Sequence, residues 1–544
     1  MRHFSFLILF TIVLSACNAS TGVPTPETSA NGTVILDPHN ELAVPPLLDY
    51  TLENGQKVFN LVVQEGQVEI VEGIVSETMG FNGDILGPTI LVEEGDDVVL
   101  NVTNQLDLAT TVHWHGLHVP AEMDGTPHQL IQPGETWQAY YPILNEASTM
   151  WYHPHSHGTT AQQVANGLAG LYIIEDENSK SLDIPQTYGV DDIPLIVQDK
   201  IFDDGVMSTM IQGGVFYGDV MLTNGTLNAW AEVPAKQVRL RILNGSLARI
   251  YSFGFADGRE FHQIASDGGL LESPAPMTRL LMATGERAEI VVDLSDGEEA
   301  ILMTLDDNRL PGTSGGEHNI LRLVPNMNHE LVETNPAPLP QVLNVIERWD
   351  ESEVDVIRPL VLAGGVSDEA DPTDLYIEMD HEDQANAGGR SIPINGKVMD
   401  MERIDEVVTL GDIEIWEIHN NGAPHPIHIH DIQFLILDRN GVPPEPYESG
   451  WKDTVLVNNN ETVRVITKFD TYANQEIPYM FHCHILQHED GGMMGQFIVV
   501  DPEAVENGEP SILDYTYSLA SLSPFASLDF ASSENRYYCE LPAS

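Results

Sequence analysis

Short segments in which apolar and polar residues alternate fill the chain from about residue 47 to residue 500. Residues 67–71, 98–102 and 238–243 are examples, and Gly, Pro, Asn and Asp separate such segments from one another. Alternation with a period of two is typical of half-buried strands, and stretches with helical period are few. The pattern predicts an all-β fold built from sandwiches.

Breaks rich in Pro and acidic residues divide this span into three blocks, each about the size of one sandwich. They lie near residues 191–194 and 335–340. We therefore predict a signal peptide at 1–17, a Thr-, Pro- and Ser-rich tether at 18–46, sandwich domains at 47–185, 186–338 and 339–502, and a C-terminal extension at 503–544. The aromatic side chains of the Ser-rich extension predict that it packs against the body of the protein.

The first 17 residues resemble a bacterial lipoprotein signal. Arg2 precedes an apolar run over residues 4–14, which is too short to span a membrane and remain there. The small residues before Cys17 match a lipobox, in which the Cys is lipidated and becomes the new N-terminus; an ordinary cleaved signal is the alternative. Because Asn18 and not Asp follows, the resemblance implies an outer-membrane anchor, facing the periplasm or the cell surface.

The charge balance excludes one class of partner. Asp and Glu number 83 against 23 Lys and Arg, which gives a formal charge of −60 and would repel a nucleic-acid backbone. Such a carboxylate surface suits salty water, where ions screen self-repulsion. Apart from Cys17, the chain has Cys483 and Cys539, so at most one disulfide is possible, and Cys539 is single if Cys483 binds metal.

The motif His-x-His occurs four times, in an early couple and a late couple. The pairs are His113 and His115, His153 and His155, His428 and His430, and His482 and His484. In a strand, residues i and i+2 point to the same face about 6.5–7 Å apart, so each pair can offer two imidazoles to one metal site. A single pair is more often a solvated or hydrogen-bonded surface feature, but four pairs in one chain favour metal binding.

The last pair carries a further ligand set. If His482 and His484 face one way on a strand, Cys483 between them faces the other way. A thiolate with two imidazoles and a weak thioether is the ligand set of a blue-copper centre, supplied here by His425, Cys483, His488 and Met493. The eight paired imidazoles suit several copper ions better than oxygen-seeking cations or a structural zinc ion.

This constellation resembles the three-domain multicopper oxidases, the family of laccases and bacterial copper-efflux oxidases. All four motifs stand in the family's order over about residues 47–500, with lesser matches such as Gly285-Glu286-Arg287 and the segment 450–454. The resemblance implies three cupredoxin-like Greek-key sandwiches in tandem and four copper ions. It assigns His113 and His428 to type 2 copper, His115, His153 and His484 to one type 3 copper, and His155, His430 and His482 to the other. The middle domain shows no comparable His cluster in the sequence, its main solitary His being His262, so we expect it to be a spacer.

The resemblance also implies an activity. Electrons from a reducing substrate would enter at the edge of His488 and pass through Cys483 to the trinuclear cluster, where O₂ is reduced to water. Water formation needs protons, and Asp124 and Glu489 match the family's acids that relay them. His157 shares strand parity with its pair, but the family motif does not use it.

The electron donor is predicted from what the chain lacks. Copper-efflux oxidases carry a Met- and His-rich insertion, whereas the region 366–401 has only Met379, Met399, Met401 and His381 amid many acids, and Asn421 stands where those oxidases tend to have an acid. We therefore expect a laccase-like oxidase of small phenols or aromatic amines that acts as a monomer. A cuprous oxidase is the alternative, and a non-enzymatic copper carrier or periplasmic scaffold is the alternative of another class. A two-domain nitrite reductase is disfavoured because it needs fewer His.

Overall fold

The structure is a computed structural model that describes residues 40–208, 215–307, 316–332, 337–362 and 392–502. It also describes the backbone of two short antiparallel strands, β1 (Glu27–Thr28) and β2 (Val34–Ile35). The predicted signal peptide with Cys17, the C-terminal extension with Cys539, and most of the acidic region 366–401 lie outside the described residues.

The first sandwich packs two sheets face to face. Its strands are β3 (Tyr50–Glu53), β4 (Gln56–Val71), β5 (Ile74–Phe81), β6 (Ile90–Glu93), β7 (Asp97–Asn104), β8 (His113–His115), β9 (Thr136–Pro142), β10 (Ser148–His153) and β11 (Gly170–Glu175). One sheet has the order β3-β4-β7-β9, with β5 paired to β4, and the other has the order β6-β11-β10-β8. A 3₁₀ helix (Ala121–Met123) and the helices α1 (Thr160–Ala165) and α2 (Glu177–Ser181) lie in its connections.

Alternation decides which face of each strand enters the core. In β4, Phe59, Leu61 and Val63 are buried, while Asn60 between the first two is exposed. These side chains pack with Trp114 of β8 in one apolar cluster. Because Trp114 points into this core, His113 and His115 on either side of it point to the opposite face of β8.

The second sandwich has a longer sheet and a shorter one. Its strands are β12 (Asp192–Lys200), β13 (Phe202–Asp203), β14 (Val206–Met207), β15 (Val220–Thr223), β16 (Thr226–Leu227), β17 (Trp230–Pro234), β18 (Gln237–Asn244), β19 (Tyr251–Phe255), β20 (Phe261–Ser266), β21 (Gly269–Met277), β22 (Leu280–Met282), β23 (Arg287–Asp293), β24 (Ala300–Thr304) and β25 (His318–Asn326). The sheet orders are β16-β15-β12-β18-β23-β20-β21 and β17-β25-β24-β19-β22, with β13 and β14 as a hairpin.

Strand β12 begins within the predicted break near residues 191–194, so this acidic segment is part of the second sandwich. Asp192 is the first residue of β12 and is buried, and its carboxylate accepts hydrogen bonds from the Arg241 guanidinium at 2.8–3.0 Å. Arg239 and Arg241, on the polar face of β18, are buried as well and both bind Glu289. Opposite charges allow this acidic segment to enter the sheet, because a buried charge needs a partner.

The third sandwich repeats the two-sheet arrangement. Its strands are β26 (Val356–Val361), β27 (Glu406–Thr409), β28 (Ile413–Asn420), β29 (His425–Ile429), β30 (Leu435–Arg439), β31 (Thr454–Val457), β32 (Glu461–Lys468), β33 (Asn474–Cys483) and β34 (Met494–Val500). The sheet orders are β26-β28-β32-β30 and β27-β34-β33-β29-β31. Short 3₁₀ helices occupy Glu351–Glu353 and Pro446–Glu448, and helix α3 (Leu486–Asp490) follows β33.

The prediction of an all-β fold of tandem cupredoxin-like sandwiches is confirmed. The strands of each sandwich fall within one predicted block, while the domain boundaries themselves stay predictions. None of the helices among the described residues is long and apolar enough to cross a membrane.

Candidate metal centre

Strand pairing brings the histidine pairs together two by two. In the first sandwich, β8 and β10 are antiparallel neighbours, with His113 opposite His153. In the third sandwich, β29 and β33 are antiparallel neighbours, with His428 opposite His482. The second His of three pairs lies just beyond a strand end: His430 and His484 follow directly after β29 and β33, and His155 follows β10 with Pro154 between.

The two couples face each other across the boundary between the first and third sandwiches. All eight imidazoles are buried. Ring nitrogens lie within 4.8 Å of one another in three sets, which are His113, His115 and His153; His113, His428 and His430; and His155, His430 and His482. The ring of His484 lies 5.0 Å from that of His115 and 5.5 Å from that of His153, centroid to centroid. The chain therefore gathers the eight predicted imidazoles into one cluster.

Backbone carbonyls decide which nitrogen of a ring faces this cluster. The Nδ1–H groups of His113, His428 and His153 donate to the carbonyls of Asp124, Asp453 and Pro154, each at 2.8 Å. A carbonyl only accepts, so each of these rings carries its proton on Nδ1 and presents the lone pair of Nε2. On the far side of the cluster, Nε2 of His482 lies 3.2 Å from Nε2 of His155 and 3.2 Å from Nε2 of His430.

The ring of His115 presents its other nitrogen, Nδ1, to the cluster. Its Nε2 lies 3.0 Å from Oδ1 of Asp453, so the carboxylate fixes the proton on Nε2, and Nδ1 faces Nε2 of His153 at 3.5 Å. Asp453 is fully buried at the start of β31. The segment 450–454 matches the family motif, but the sequence predicts no role for Asp453. The signal that could have found it is an acid one residue before a strand that pairs with the His428 strand.

The cluster fits a soft or borderline cation. Within the described part of the chain, Nε2 of His113, Nε2 of His428 and both ring nitrogens of His484 are buried without a hydrogen-bond partner, although buried polar atoms normally have one. Burial, reinforced by neighbouring imidazoles, lowers the pKa of six rings well below 6.5: His115, His153, His155, His428, His430 and His482. Burial also lowers the pKa of His484 to about 3. These rings are therefore neutral at physiological pH, the form that binds a metal.

A second, smaller set lies on the other face of β33. The Sγ atom of Cys483 is 3.5 Å from Nδ1 of His425 and 3.6 Å from Nδ1 of His488. Met493 is buried beside them, and its carbonyl accepts a hydrogen bond from the Cys483 N–H at 3.0 Å. Burial lowers the pKa of His425 to about 3 and that of His488 to about 4. Burial also raises the pKa of the Cys483 thiol, so a thiolate here needs a bound cation.

Asp124 lies between two imidazoles of the cluster. It follows the 3₁₀ helix Ala121–Met123 and is fully buried. Its Oδ2 accepts a hydrogen bond from Nδ1 of His430 at 2.7 Å, and its Oδ1 lies 3.2 Å from Nδ1 of His113. Asp124 thus orients one imidazole from the first sandwich through its carbonyl and one from the third through its carboxylate.

Glu489 bridges the far side of the cluster. Its Oε1 is 3.4 Å from Nδ1 of His155, and its Oε2 is 3.3 Å from Nδ1 of His482. Burial, with the neighbouring Asp490 carboxylate, raises the pKa of Glu489 well above its usual range. Asp490 itself accepts hydrogen bonds at 2.9 Å from the backbone N–H groups of Thr160 and Ala161 at the start of α1.

Two other histidines stay apart from these sets. His262 lies on the second sandwich with its side chain 37% exposed, 4.0 Å from Glu260. His157 is exposed just after the second pair of the first sandwich. Neither belongs to a group of metal-ligating side chains among the described residues.

Comparisons with known proteins agree with this geometry. Two models described as multicopper oxidase match residues 62–179 and 368–503. Multicopper oxidase mco of Staphylococcus aureus is 34% identical over 469 residues, 85% of this chain and 92% of that protein. Cell division protein FtsP of Escherichia coli (strain K12) is 35% identical over 464 residues, 84% of this chain and 92% of that protein. A solved structure of the laccase-like multi-copper oxidase CueO from Ochrobactrum sp. has a TM-score of 0.75 at 38% identity, covering 84% of this chain and 100% of that one.

The sandwiches and the buried imidazole cluster define a copper-binding oxidoreductase. The chain belongs to the multicopper oxidase family. Membership implies O₂ as the electron acceptor and a reducing substrate as the donor, as the motifs predict.

Proposed function

We propose that this protein is a laccase-like oxidase, which takes single electrons from small phenols or aromatic amines and uses them to reduce O₂ to water. The observation that carries the proposal is the position of Cys483. Its thiol contacts His425 and His488, while its chain neighbours His482 and His484 belong to the imidazole cluster. A one-metal set and a multi-metal set are therefore joined by peptide bonds.

The proposed ligands are those that the motifs predict. The type 1 set is His425, Cys483, His488 and Met493, and the type 2 set is His113 and His428. The type 3 sets are His115, His153 and His484, and His155, His430 and His482. Copper, when bound, supplies one-electron redox chemistry at both centres. Four ions would match the four electrons that the reduction of O₂ to two waters requires.

The chain's own groups orient the ligands and handle protons. Nδ1–H bonds to carbonyls keep the Nε2 lone pairs of His113, His153 and His428 aimed inward. Asp124 and Glu489 are two carboxyl groups that contact cluster imidazoles from opposite sides. We propose that each holds a proton on a carboxyl oxygen and passes it toward the cluster.

The proposed class of electron donor is supported by the exposure of His488 and by the scarcity of Met in the region 366–401. His488 is the partly exposed member of the type 1 set. Soft thioethers select Cu(I), and the sequence has few of them in the region 366–401. The Ochrobactrum relative is described as having oxidase activity towards lignin model compounds, which are aromatic. These observations favour an aromatic donor over Cu(I).

We also propose that lipidation of Cys17 anchors the protein to the outer membrane, facing the periplasm or the cell surface. The proposal is supported by the small-residue site that precedes Cys17 and by Asn18 after it.

Steady-state kinetics of the copper-loaded protein test the donor assignment. A phenol, an aromatic amine, bilirubin and Cu(I) are compared side by side, with O₂ uptake as the readout and Cys483→Ser as the control for oxidation that bypasses the type 1 set. We expect the phenol and the amine to give the highest kcat/KM. A higher kcat/KM with Cu(I) would replace the proposal with a cuprous oxidase, and copper binding without O₂ uptake would indicate a carrier.

A further inference from the structure

The second sandwich reaches the imidazole cluster through one turn. Residues 283–286 connect β22 to β23, and the Glu286 N–H donates to the Ala283 carbonyl at 3.2 Å. Gly285 sits at the tip with φ of +82°, a conformation that favours glycine. A Cβ atom at this position would lie 2.7 Å from Cδ2 of His484, so only glycine lets the turn approach the ring so closely.

The same turn holds the His484 backbone. Thr284 Oγ1 donates a hydrogen bond to the His484 carbonyl at 2.7 Å. Among the described residues, neither ring nitrogen of His484 has a hydrogen-bond partner, so the ring is held by packing contacts such as the one with Gly285. The segment from Thr284 to Gly285 therefore supports a cluster imidazole from outside the two sandwiches that supply the imidazoles.

Arg287, the first residue of β23, contacts all three sandwiches with one guanidinium. Its Nε donates to the carbonyl of Thr149 in the first sandwich at 3.0 Å, and its Nη1 donates to the carbonyl of Gly285 in the second at 2.9 Å. In the third sandwich, Nη1 donates to Oδ1 of Asp453 at 2.8 Å, and Nη2 donates to Oδ2 of the same carboxylate. The Arg287 side chain is fully buried.

Asp453 continues the contact to the cluster. The Oδ1 atom that accepts from Arg287 also accepts from Nε2 of His115. Gly116 leaves room for the pair, because a Cβ at that position would lie 2.5 Å from Oδ2 of Asp453 and 2.7 Å from Nη2 of Arg287. An unbroken line of hydrogen bonds thus runs from the second sandwich to His115, a ring that presents Nδ1 and not Nε2 to the cluster.

We propose that Arg287 is a positioning residue for the oxidase reaction: it locks the Asp453 carboxylate in the orientation that fixes the proton of His115 on Nε2 and aims Nδ1 at the trinuclear cluster. The proposal rests on the proposed function, because it takes His115 as a copper ligand. It gives the second sandwich a part in the site beyond that of a spacer. Partners that orient a ligating His typically change metal affinity by about 10–100-fold when they are removed.

The planar guanidinium is essential to this arrangement. Its fork matches the carboxylate with two parallel hydrogen bonds, which a Lys ammonium cannot reproduce. Arg287→Lys therefore keeps the positive charge beside Asp453 and loses the orientation. Arg241→Lys is the matched control, because Arg241 is buried in the same sandwich, binds the carboxylate of Asp192 with two nitrogens and also bonds Thr149 in the first sandwich.

The experiment compares copper retention in wild type, Arg287→Lys and Arg241→Lys, each loaded with copper and then titrated with a chelator. Copper per chain, the blue absorption and the paramagnetic resonance spectrum of the type 2 ion are followed at each chelator concentration. We expect Arg287→Lys to lose cluster copper about 10-fold more readily than wild type while its blue absorption remains. Arg241→Lys should retain copper as wild type does, with a comparable fall in melting temperature.

Equal copper retention and unchanged resonance spectra in the two variants would overturn the proposal. Should Arg287→Lys not fold, Asp453→Asn takes its place, since the amide keeps the shape but cannot hold the His115 proton in the same way; wild-type retention in that variant would again overturn it. Combining Asp453→Asn with Arg287→Lys should add no further loss, because both act through one carboxylate. A wild-type protein that binds no cluster copper refutes the proposed function itself, which separates the two failures.

Discussion

An ion pair between His118 and Asp431 joins the first sandwich to the third close to the imidazole cluster, and its loss at alkaline pH should be measurable. His118 Nδ1 lies 2.8 Å from Oδ1 of Asp431 and 2.7 Å from its carbonyl oxygen. Burial lowers the pKa of His118, but the Asp431 carboxylate outweighs it and raises the pKa to about 9, with a smaller effect of Asp470. The ring of Tyr472 also packs against His118, 5.3 Å away.

The sign and size of the effect follow from this shift. Below pH 6.5, His118 is protonated in the folded and the unfolded chain, so the stabilisation is fully present; it is lost as the pH rises through about 9. At about 1.4 kcal/mol per pKa unit, the shift corresponds to roughly 3 kcal/mol. This is an upper value, because burial raises the pKa of Asp431 and so opposes the charged pair. With an unfolding entropy of roughly 1 kcal/mol/K for a chain of this size, the melting temperature should change by up to about 3 °C.

The assay is differential scanning calorimetry of wild type and His118→Asn between pH 6 and pH 9.5. Asn keeps an N–H donor near the position of Nδ1 but has no charge. We expect wild type to melt up to about 3 °C higher at pH 6 and the difference to shrink toward zero at pH 9.5. His262→Asn, which removes an exposed His of the second sandwich, should match wild type at every pH. A difference between wild type and His118→Asn that is the same at both ends of the range would refute the reasoning.

Further predictions concern the site. Asp124→Asn should slow O₂ uptake on the order of 100-fold while the blue absorption stays, and unchanged turnover would remove Asp124 from proton transfer. Gly285→Ala should lower the melting temperature and distort the resonance spectrum of the cluster, because its Cβ would collide with the ring of His484. Cys483→Ser should lose the blue absorption and about one copper ion per chain, and retention of the blue band would exclude Cys483 as a ligand. Cys17→Ser should abolish incorporation of labelled palmitate in cells.

The fold class and the candidate ligands could be predicted because both depend on local sequence patterns. A strand with one buried face needs apolar residues at every second position, so period-two alternation predicts the strands of a sandwich. The eight imidazoles stand two residues apart in four pairs, the spacing that puts both members of a pair on one face of a strand. Both members of the first pair lie in β8, whereas the second His of each other pair lies just beyond a strand end. Parity also separates Cys483 from His482 and His484, and in the structure its thiol contacts His425 and His488 on the far face of β33.

The alternation of residues along a strand could not predict which acidic residues are buried and bind a partner. The chain has 83 Asp and Glu, and the alternation of apolar and polar residues does not distinguish Asp453 or Asp192 from the others. Asp192 was predicted to lie in a break, yet it is buried in β12 because Arg241, 49 residues away, neutralises it.

The sequence by itself determined the strand periodicity, the identity of the ligand-bearing motifs and the opposition of the thiol to its neighbouring imidazoles, because each depends on residues at most a few positions apart. Only the tertiary structure decided that Arg287 binds Asp453, 166 residues later, and that Asp453 binds His115, 338 residues earlier. The physical reason is that a buried charge is stable only where its partners converge, and here those partners come from three separate sandwiches.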